Sequence, residues 1–116
     1  EVINKYKSKK WLGVITACVS PELTENVAEE FKNLGLPFGF KINAWENIPE
    51  NFLVSDWKAD SIKDGDPANI LGKRKDITAD KFYDFSKRLK NMGATILGGC
   101  CEIGPSHISK IASLKN

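Results

Sequence analysis

The sequence lacks the features that define several large classes of protein. No stretch approaches the roughly 20 apolar residues that span a bilayer, and no signal peptide is visible, so no membrane association is predicted. Acidic and basic residues nearly balance, with a formal net charge of +2, which gives no electrostatic reason to expect nucleic acid as a partner. The chain has 116 residues, of which 41% are hydrophobic. This composition is typical of one small globular domain with a modest core.

Cysteine is scarce and odd in number, which argues against a secreted disulfide framework. The three cysteines are Cys18, Cys100 and Cys101. Adjacent cysteines rarely bridge each other, because the short peptide linkage strains the disulfide geometry. Free or metal-bound thiols in a reducing compartment fit this pattern better. A cytoplasmic location is therefore expected.

Three short apolar runs alternate with helical patterns along the chain. Each run has the length of a strand, contains β-branched or aromatic residues and has no internal proline. The alternation of strands and helices favours parallel βα units. The predicted strands are Trp11–Cys18, Phe38–Trp45 and Ala94–Gly99, and the predicted helices are Pro21–Leu34, Ala79–Met92 and a last one that begins at Pro105 or Ser106.

Each helical segment carries end signals and an apolar stripe. Ser20 and Thr78 stand where N-caps are expected, and Gly35 and Gly93 supply C-terminal stops. Apolar residues that recur every three or four positions indicate the buried face of a helix. The predicted stripes are Leu23, Val27, Phe31 and Leu34 in the first helix, Phe82, Phe85, Leu89 and Met92 in the second, and Ile108, Ile111 and Leu114 in the third.

The segment 46–77 interrupts this rhythm. It contains two prolines, several Asp and Asn residues and scattered apolar side chains. Structureless loops of this length are uncommon inside compact domains and often serve as active-site lids. Two interpretations stay open: an inserted surface loop with a few docked side chains, or a lid. Trp45 and Trp57 could offer an aromatic face to a cationic ligand, or they could be ordinary core residues.

The cysteines stand at the ends of predicted strands. Cys18 ends the first strand, and Cys100 and Cys101 follow the third. In parallel βα architectures the C-terminal strand ends share one edge of the sheet, where active sites are built. Three thiolates at one point suit zinc and leave its fourth position open, as in catalytic zinc sites. Burial of free cysteines in the core is the competing interpretation, and His107 is either a fourth ligand or a capping or surface residue.

Three sequence blocks resemble the homocysteine S-methyltransferase family. The run Gly-Gly-Cys-Cys-Glu-Ile-Gly-Pro-Ser-His-Ile at 98–108 is similar to the family's terminal zinc motif, with Glu102 where a glycine is usual. The run Ala-Cys-Val-Ser-Pro-Glu at 17–22 resembles a strand that ends in Asn-Cys before a helix opened by Pro-Glu, with Ala17 in place of the asparagine. The run Phe-Lys-Ile-Asn-Ala-Trp at 40–45 is similar to a strand that ends in Pro-Asn-x-Gly, with Ile42 and Trp45 in place of the proline and the glycine.

The resemblance implies a fold, a metal and a reaction. The implied fold is an α/β one, the (β/α)8 TIM barrel, of which this chain would form the C-terminal portion, the last three βα units. Cys18, Cys100 and Cys101 are implied to hold Zn2+, and Asn43 and Gly99 are the further candidates for substrate binding. The implied substrates are homocysteine and a small methyl donor such as betaine, S-methylmethionine, a dimethylated sulfonium compound or a methylated folate. The product would be methionine.

Residues 1–116 are accordingly expected to be the C-terminal fragment of a homocysteine-binding domain. The homocysteine amino and carboxyl groups would then be held largely by the earlier half of the barrel. The fragment alone is expected to be inactive and marginally stable, and its open sheet edges would favour self-association. Two rival functions stay open. They are a structural zinc-thiolate domain and a thiol-redox protein that uses Cys100 and Cys101, although the Cys-x-x-Cys spacing common in such proteins is absent.

Overall fold

The computed structural model describes residues 10–48 and 67–115, together with Lys5. Its regular elements include the three predicted strands and the three predicted helices, each within a few residues of the expected bounds. A short helix, α2, was not predicted. The elements are β1 (Val14–Val19), α1 (Pro21–Lys32), β2 (Phe38–Ile42), α2 (Ala68–Leu71), α3 (Ala79–Asn91), β3 (Ile96–Gly99), α4 (Pro105–Ile111) and a 3-10 helix (Ala112–Lys115).

The strands form one parallel sheet in the order β1-β2-β3. Parallel neighbours need crossover connections, which α1 provides between β1 and β2 and α3 provides between β2 and β3. The register from β2 to β3 is regular, whereas the pairing of β1 with β2 shifts between Ala17 and Val19 and leaves Cys18 without a partner. Three parallel strands that alternate with helices in an open sheet are consistent with part of a (β/α)8 barrel.

The helices cover one face of this sheet. Phe38, Phe40 and Ile42 alternate along β2, and each has at most 5% of its surface exposed. The ring of Phe31 in α1 stacks on that of Phe40 with 6.1 Å between the centroids. Burial of each such side chain contributes about 1.5–3 kcal/mol, so this face holds most of the stabilising contacts. The other members of the core cluster are Ala28, Ala44, Ile77, Phe82, Leu89, Ala94 and Ile111.

The buried faces of α1 and α4 differ in part from the predicted stripes. Leu23, which was predicted to be buried, is 57% exposed, and the neighbouring Thr24 is fully buried instead. Thr24 tolerates burial because its hydroxyl donates a hydrogen bond to the Pro21 carbonyl oxygen at 2.6 Å. In α4 Ile111 is buried as predicted, but Ile108 is 43% exposed. The face of α4 toward α3, rather than its face over β3, is the one that the core covers.

The helix ends follow most of the predicted signals. Thr78 caps α3, because its Oγ1 accepts a hydrogen bond from the Lys81 N–H at 3.2 Å. Gly35 and Gly93 both take the left-handed conformation, with φ of 65° and 102°. Ser20 occupies the N-cap of α1 with an extended backbone, but its hydroxyl makes no capping hydrogen bond. The α1 start therefore relies on the proline at its first position rather than on a side-chain cap.

The ends of the segment 46–77 lie side by side. The Glu46 N–H donates to the Gly72 carbonyl oxygen at 3.1 Å. Gly72 directly follows α2 in the chain. Residues 49–66, and with them Trp57, lie outside the described residues, so the lid stays a prediction. Within the described part of the chain, no helix combines the length and the apolar character needed to cross a membrane.

Candidate metal centre

Cys18 occupies an irregular position at the C-terminal end of β1. Its φ is 56°, in the left-handed region that residues with side chains rarely adopt. The pairing with β2 shifts between Ala17 and Val19, so that Cys18 is the extra residue of a β-bulge. Bulges at sheet edges re-aim a side chain. Here the bulge brings the Cys18 thiol beside the two thiols that follow β3.

Cys100 and Cys101 begin the turn between β3 and α4. The Cys100 N–H donates to the Ile42 carbonyl oxygen at 2.7 Å, and the Cys101 carbonyl oxygen accepts from the Ala44 N–H at 3.0 Å. The Ile103 N–H closes the turn on the Cys100 carbonyl oxygen at 3.1 Å. These bonds tie the adjacent cysteines to the end of β2, the strand that also pairs with β1.

The three sulfur atoms lie together, as the sequence analysis expected. Cys101 Sγ is 3.7 Å from Cys18 Sγ and 3.8 Å from Cys100 Sγ, and all three atoms lie within 4.8 Å of one another. Sulfur ligands at the usual Zn–S length of about 2.3 Å on the corners of a tetrahedron are about 3.8 Å apart. Both short distances match that edge. The cluster could therefore hold a tetrahedral metal ion such as zinc.

Asn43 supports the Cys18 turn from within the protein. It is fully buried, and its Nδ2 donates to the Cys18 carbonyl oxygen at 2.7 Å and lies 3.7 Å from Cys18 Sγ. Its Oδ1 accepts from the Trp45 N–H at 3.2 Å, and its own N–H donates to the Val19 carbonyl oxygen at 2.9 Å. Asn43 thus braces the left-handed backbone at Cys18. Its predicted contact with substrate stays a prediction.

The thiols differ in how readily they lose a proton. Although Cys18 as a residue is exposed, partial desolvation of its thiol, together with hydrogen bonds to the other two thiols, raises the pKa of Cys18 to about 11. Burial also opposes ionisation of Cys100, but hydrogen bonds from the Cys18 side chain and the Cys101 backbone outweigh it and lower the Cys100 pKa, with a smaller contribution from the positive charge of Lys41. Of these two thiols, Cys100 therefore ionises first. Because metals bind thiolates, metal binding must displace the proton from Cys18.

Gly99 and Glu102 flank the adjacent cysteines and have different backbone requirements. A Cβ at Gly99, the last residue of β3, would lie 2.2 Å from a side-chain carbon of Ile103, so only glycine fits there. Glu102 has a φ of 63°, which accounts for the glycine that the family motif usually has at its position. Glu102 also pairs with Lys73 at 2.9 Å. Gly99 thus has a packing role, and its contact with substrate stays a prediction.

His107 caps a helix, which is one of the two roles left open by the sequence. Its Nδ1 accepts from the Gly104 N–H at 3.2 Å at the start of α4, and its Nε2 lies 2.8 Å from the Ile77 carbonyl oxygen, to which it donates. Its ring also meets the Phe82 ring edge-on, with 5.6 Å between centroids. With both nitrogens engaged, His107 does not join the cysteine group. Trp45 is also buried, at 9% exposure, as expected of a core residue.

Arg74 was not singled out by the sequence patterns, although it fastens the end of β2. Its N–H donates to the Ala44 carbonyl oxygen at 2.9 Å, and its guanidinium pairs with Glu22 at 2.7 Å and Asp76 at 2.8 Å. Hydrogen bonding by Arg74 holds the pKa of the Asp76 carboxyl well below its usual range. Because the Ala44 N–H also bonds to Cys101, Arg74 supports the segment that holds the cluster.

Lys41 was also missed, because the sequence analysis treated the middle strand only as an apolar run. It is the only charged residue within the three strands. Its neighbours Phe40 and Ile42 are buried under the helices, and Lys41 itself is exposed. The alternation of a strand, applied to this run, would have placed Lys41 on the face opposite the helices.

The comparisons with known proteins agree with the cysteine geometry. The family model described as homocysteine S-methyltransferase matches residues 1–114, a span that includes all three clustered cysteines. No curated protein and no solved structure matches the chain. On the strength of a family match along nearly its whole length, the chain belongs to the homocysteine S-methyltransferase family.

Proposed function

We propose that this chain is part of a zinc-dependent enzyme that transfers a methyl group from an activated donor to the thiol of homocysteine, giving methionine. One observation carries the proposal: three sulfur atoms within 4.8 Å of one another at the C-terminal edge of a parallel sheet, in a chain of this family. Barrel enzymes build their active sites at this edge. Most of the contacts with the amino and carboxyl groups of homocysteine would come from the other strands of a complete barrel.

The donor set fits zinc. Cys18, Cys100 and Cys101 would hold the ion as thiolates, which are soft ligands that suit it. Zinc held by these three residues would leave one coordination position open for the substrate thiol and would favour its thiolate form. Three thiolate charges against two positive charges leave such a site with a net charge of about −1. This excess keeps electron density on the sulfur atoms, as a nucleophilic thiolate requires.

The chain's own residues fix the thiolates in place. Asn43 holds the Cys18 backbone at 2.7 Å, and its Nδ2 approaches the Cys18 sulfur at 3.7 Å. Outer contacts of this kind orient metal ligands and tune their charge. Backbone hydrogen bonds to β2 fix Cys100 and Cys101 in the same way. With all three sulfurs held from one strand end, an incoming thiol has one defined place from which to attack a donor methyl group.

X-ray absorption at the zinc edge of the full-length protein tests the proposal. We expect three sulfur ligands and one lighter ligand without homocysteine, and four sulfur ligands after it is added. A structural zinc-thiolate domain predicts a shell that homocysteine leaves unchanged. The Cys101→Ser variant is the matched control, since it should lose a sulfur from the shell in both conditions.

A thiol-redox function that uses Cys100 and Cys101 is the second candidate. It is favoured by the short distances from Cys101 Sγ, which are 3.8 Å to Cys100 Sγ and 3.7 Å to Cys18 Sγ. The two functions differ in their need for metal. Chelation should abolish methyl transfer and restored zinc should recover it, whereas thiol exchange between the cysteines would persist or increase once the metal is removed. Thiol exchange that survives chelation, in a protein without zinc-dependent methyl transfer, would favour the redox function.

The methyl donor is proposed to be a small activated compound. Assays of the full-length enzyme with betaine, S-methylmethionine, a dimethylated sulfonium compound and a methylated folate should show one donor with a far higher kcat/KM than the others.

The activity is proposed to need the complete barrel, so the chain of residues 1–116 by itself should transfer no methyl group. Methyl transfer by this chain without added N-terminal sequence would contradict that proposal.

Self-association through sheet edges is proposed for the isolated chain. Among the described residues, β1 and β3 each pair on one side only, and unpaired strand edges are templates for pairing with another chain. Ile15 and Ile96 beside these edges are 48% and 38% exposed. Sedimentation should therefore show concentration-dependent association. A monomer at all concentrations would exclude it.

A further inference from the structure

Lys41 stands on the open face of the sheet, between two positions that leave room around it. The register pairs it with Ala17 of β1 on one side and with Gly98 of β3 on the other. A Cβ placed on Gly98 would meet no atom within 4 Å, and Ala17 is itself exposed. The long Lys41 side chain is therefore flanked by two small residues, Ala17 and Gly98. A lysine in such a place is reachable by a ligand from either side.

The position of Lys41 brings its charge close to the cysteines. Its partner Ala17 directly precedes Cys18, and its partner Gly98 lies two residues before Cys100. Two residues of a strand advance about 7 Å, which the flexible four-carbon stem of lysine can span. The influence of the Lys41 charge on the Cys100 thiol is consistent with this closeness.

Within the described part of the chain, no carboxylate neutralises Lys41. The ion pairs of the described residues join other lysines and arginines to acidic groups, and Lys41 takes part in none of them. Among the described residues, its neighbours on the open face are apolar or small and include Ile15 and Ile96. None of these neighbours carries a negative charge. The charge is available to a ligand at the cysteine cluster.

We propose that Lys41 is a specificity residue that binds a carboxylate of a substrate held at the three-cysteine centre and disfavours ligands that bring only a positive charge to it. The inference rests on the proposed function, because it needs a ligand at the metal. The carboxylate has two sources, the thiol substrate and the methyl donor. Both present the same chemistry to an ammonium group, and they are separated by the two arms of the test.

The first arm measures thiol binding by the full-length protein with Co2+ in place of zinc. Sulfur-to-cobalt absorption reports each thiol as it binds, without any turnover. The probes are 3-mercaptopropionate, which carries a carboxylate, cysteamine, which carries an ammonium, and neutral 2-mercaptoethanol. We expect the unmodified protein to bind 3-mercaptopropionate at least about tenfold more tightly than cysteamine, equivalent to about 1.4 kcal/mol. Lys41→Met should remove this preference, and Lys41→Glu should reverse it.

The second arm measures the donor site in the same cobalt protein with 2-mercaptoethanol bound. The probes are betaine and choline, which share a trimethylammonium group but differ in the carboxylate. Broadening of their methyl proton signals by the paramagnetic ion reports binding near the metal. The dependence of the broadening on protein concentration gives a dissociation constant for each probe. If the donor supplies the carboxylate, betaine should bind at least about tenfold more tightly than choline, equivalent to about 1.4 kcal/mol, and Lys41→Met should make the two dissociation constants alike.

Three controls separate charge recognition from structural damage. Lys41→Arg keeps the charge and should keep the preference in whichever arm shows it. Lys87→Met removes an exposed lysine from α3, on the helical layer, and should change neither arm. The cobalt spectrum without thiol should be the same in every variant, because the three cysteines are unchanged.

The outcomes divide cleanly. A Lys41-dependent preference in either arm supports the inference and identifies the source of the carboxylate. Thiols that bind equally well with and without Lys41, together with betaine and choline that behave alike in both proteins, overturn it while the proposed function stands. If no thiol alters the cobalt spectrum, the proposed function is wrong and the inference falls with it.

Discussion

The two faces of the sheet are built from alternate residues of the same strands, yet they differ in what they contribute. On the helix-covered face, Phe40 and Ile42 have at most 1% of their surface exposed. On the open face, Ile15 is 48% exposed and Lys41 stands between small residues. One face carries the packing that stabilises the fold. The other leaves side chains available beside the three thiols, so stability and ligand binding can be altered separately.

Truncation of the packed face should have the largest effect on stability. Phe40→Ala removes a fully buried ring that contacts two other phenylalanines, and such changes cost about 3–5 kcal/mol. We expect a loss of that size in the free energy of unfolding, measured with denaturant on the zinc-loaded protein. Ile15→Ala on the open face is the matched control, and it should cost less than about 1 kcal/mol. Equal losses would show that the open face is packed in solution.

Removal of one thiol should instead greatly weaken zinc binding and leave the fold of the metal-free protein nearly unchanged. Cys101 lies within 3.8 Å of both other sulfur atoms, so Cys101→Ser should weaken zinc binding by at least about 100-fold, the upper end of what loss of an outer contact alone produces. Circular dichroism of the metal-free protein should be unchanged. Ala17→Ser, which adds a hydroxyl next to Cys18 without removing sulfur, should bind zinc normally. Unaltered zinc binding by Cys101→Ser would remove Cys101 from the ligand set.

The metal-free protein should lose stability as the pH rises through the titration of Cys18. The folded protein raises the Cys18 pKa from 9.0 to about 11, chiefly because burial disfavours the thiolate. A group whose pKa is raised on folding contributes stability below its unfolded pKa and loses that stability as the pH rises toward its folded value. The thermal midpoint of the reduced, metal-free protein should therefore fall between about pH 9 and pH 11.

Two comparisons isolate this effect from general alkaline denaturation. Cys18→Ser should show a smaller fall in the thermal midpoint over the same interval, because it has no thiol to ionise. The zinc-loaded protein should also show a smaller fall, since its cysteines are already thiolates. An identical fall in all three proteins would assign the loss to other groups.

The order of elements and the meeting of the cysteines could be predicted from sequence. Periodicity located the three strands and the three main helices of the described residues, and the rule that parallel strand ends share an edge brought Cys18 to Cys100 and Cys101. The predicted strands were too long, because apolar residues continue beyond the hydrogen-bonded part. The N–H groups of Asn43 and Ala44 still bond to backbone carbonyls of neighbouring segments, but the Trp45 N–H bonds to a side chain, the Oδ1 of Asn43. Sequence patterns record apolar character and not the partner of each backbone group.

Features that depend on individual hydrogen bonds and on strand register were not predictable. The buried face of α1 includes Thr24 because a local hydrogen bond satisfies its hydroxyl, so the apolar stripe that included Leu23 was an incomplete guide. The bulge at Cys18 arises from a register shift against β2, which no local pattern encodes. Glu102 lies between these cases. The family motif marked its position as unusual, but only the backbone showed why.

Replacement of Glu102 should have the smallest effect on the free energy of unfolding. The sign of that effect tests whether the left-handed backbone at Glu102 is strained. Glu102 holds a φ of 63°, which costs a residue with a side chain about 1–2 kcal/mol. Glu102→Gly relieves that cost but removes the pair with Lys73, whose side chain is 59% exposed, and exposed pairs contribute about 0.2–1 kcal/mol. Glycine also gives the unfolded chain more conformational freedom, which costs about 0.4–1 kcal/mol. We therefore expect a net gain in the free energy of unfolding of less than about 1 kcal/mol. In a Lys73→Met background no pair is left to lose, so the gain from Glu102→Gly should be larger there. A loss of stability in both backgrounds would mean that the turn after the adjacent cysteines does not keep its left-handed residue in solution, and the sulfur positions at this edge would then depend on the metal rather than on the fold.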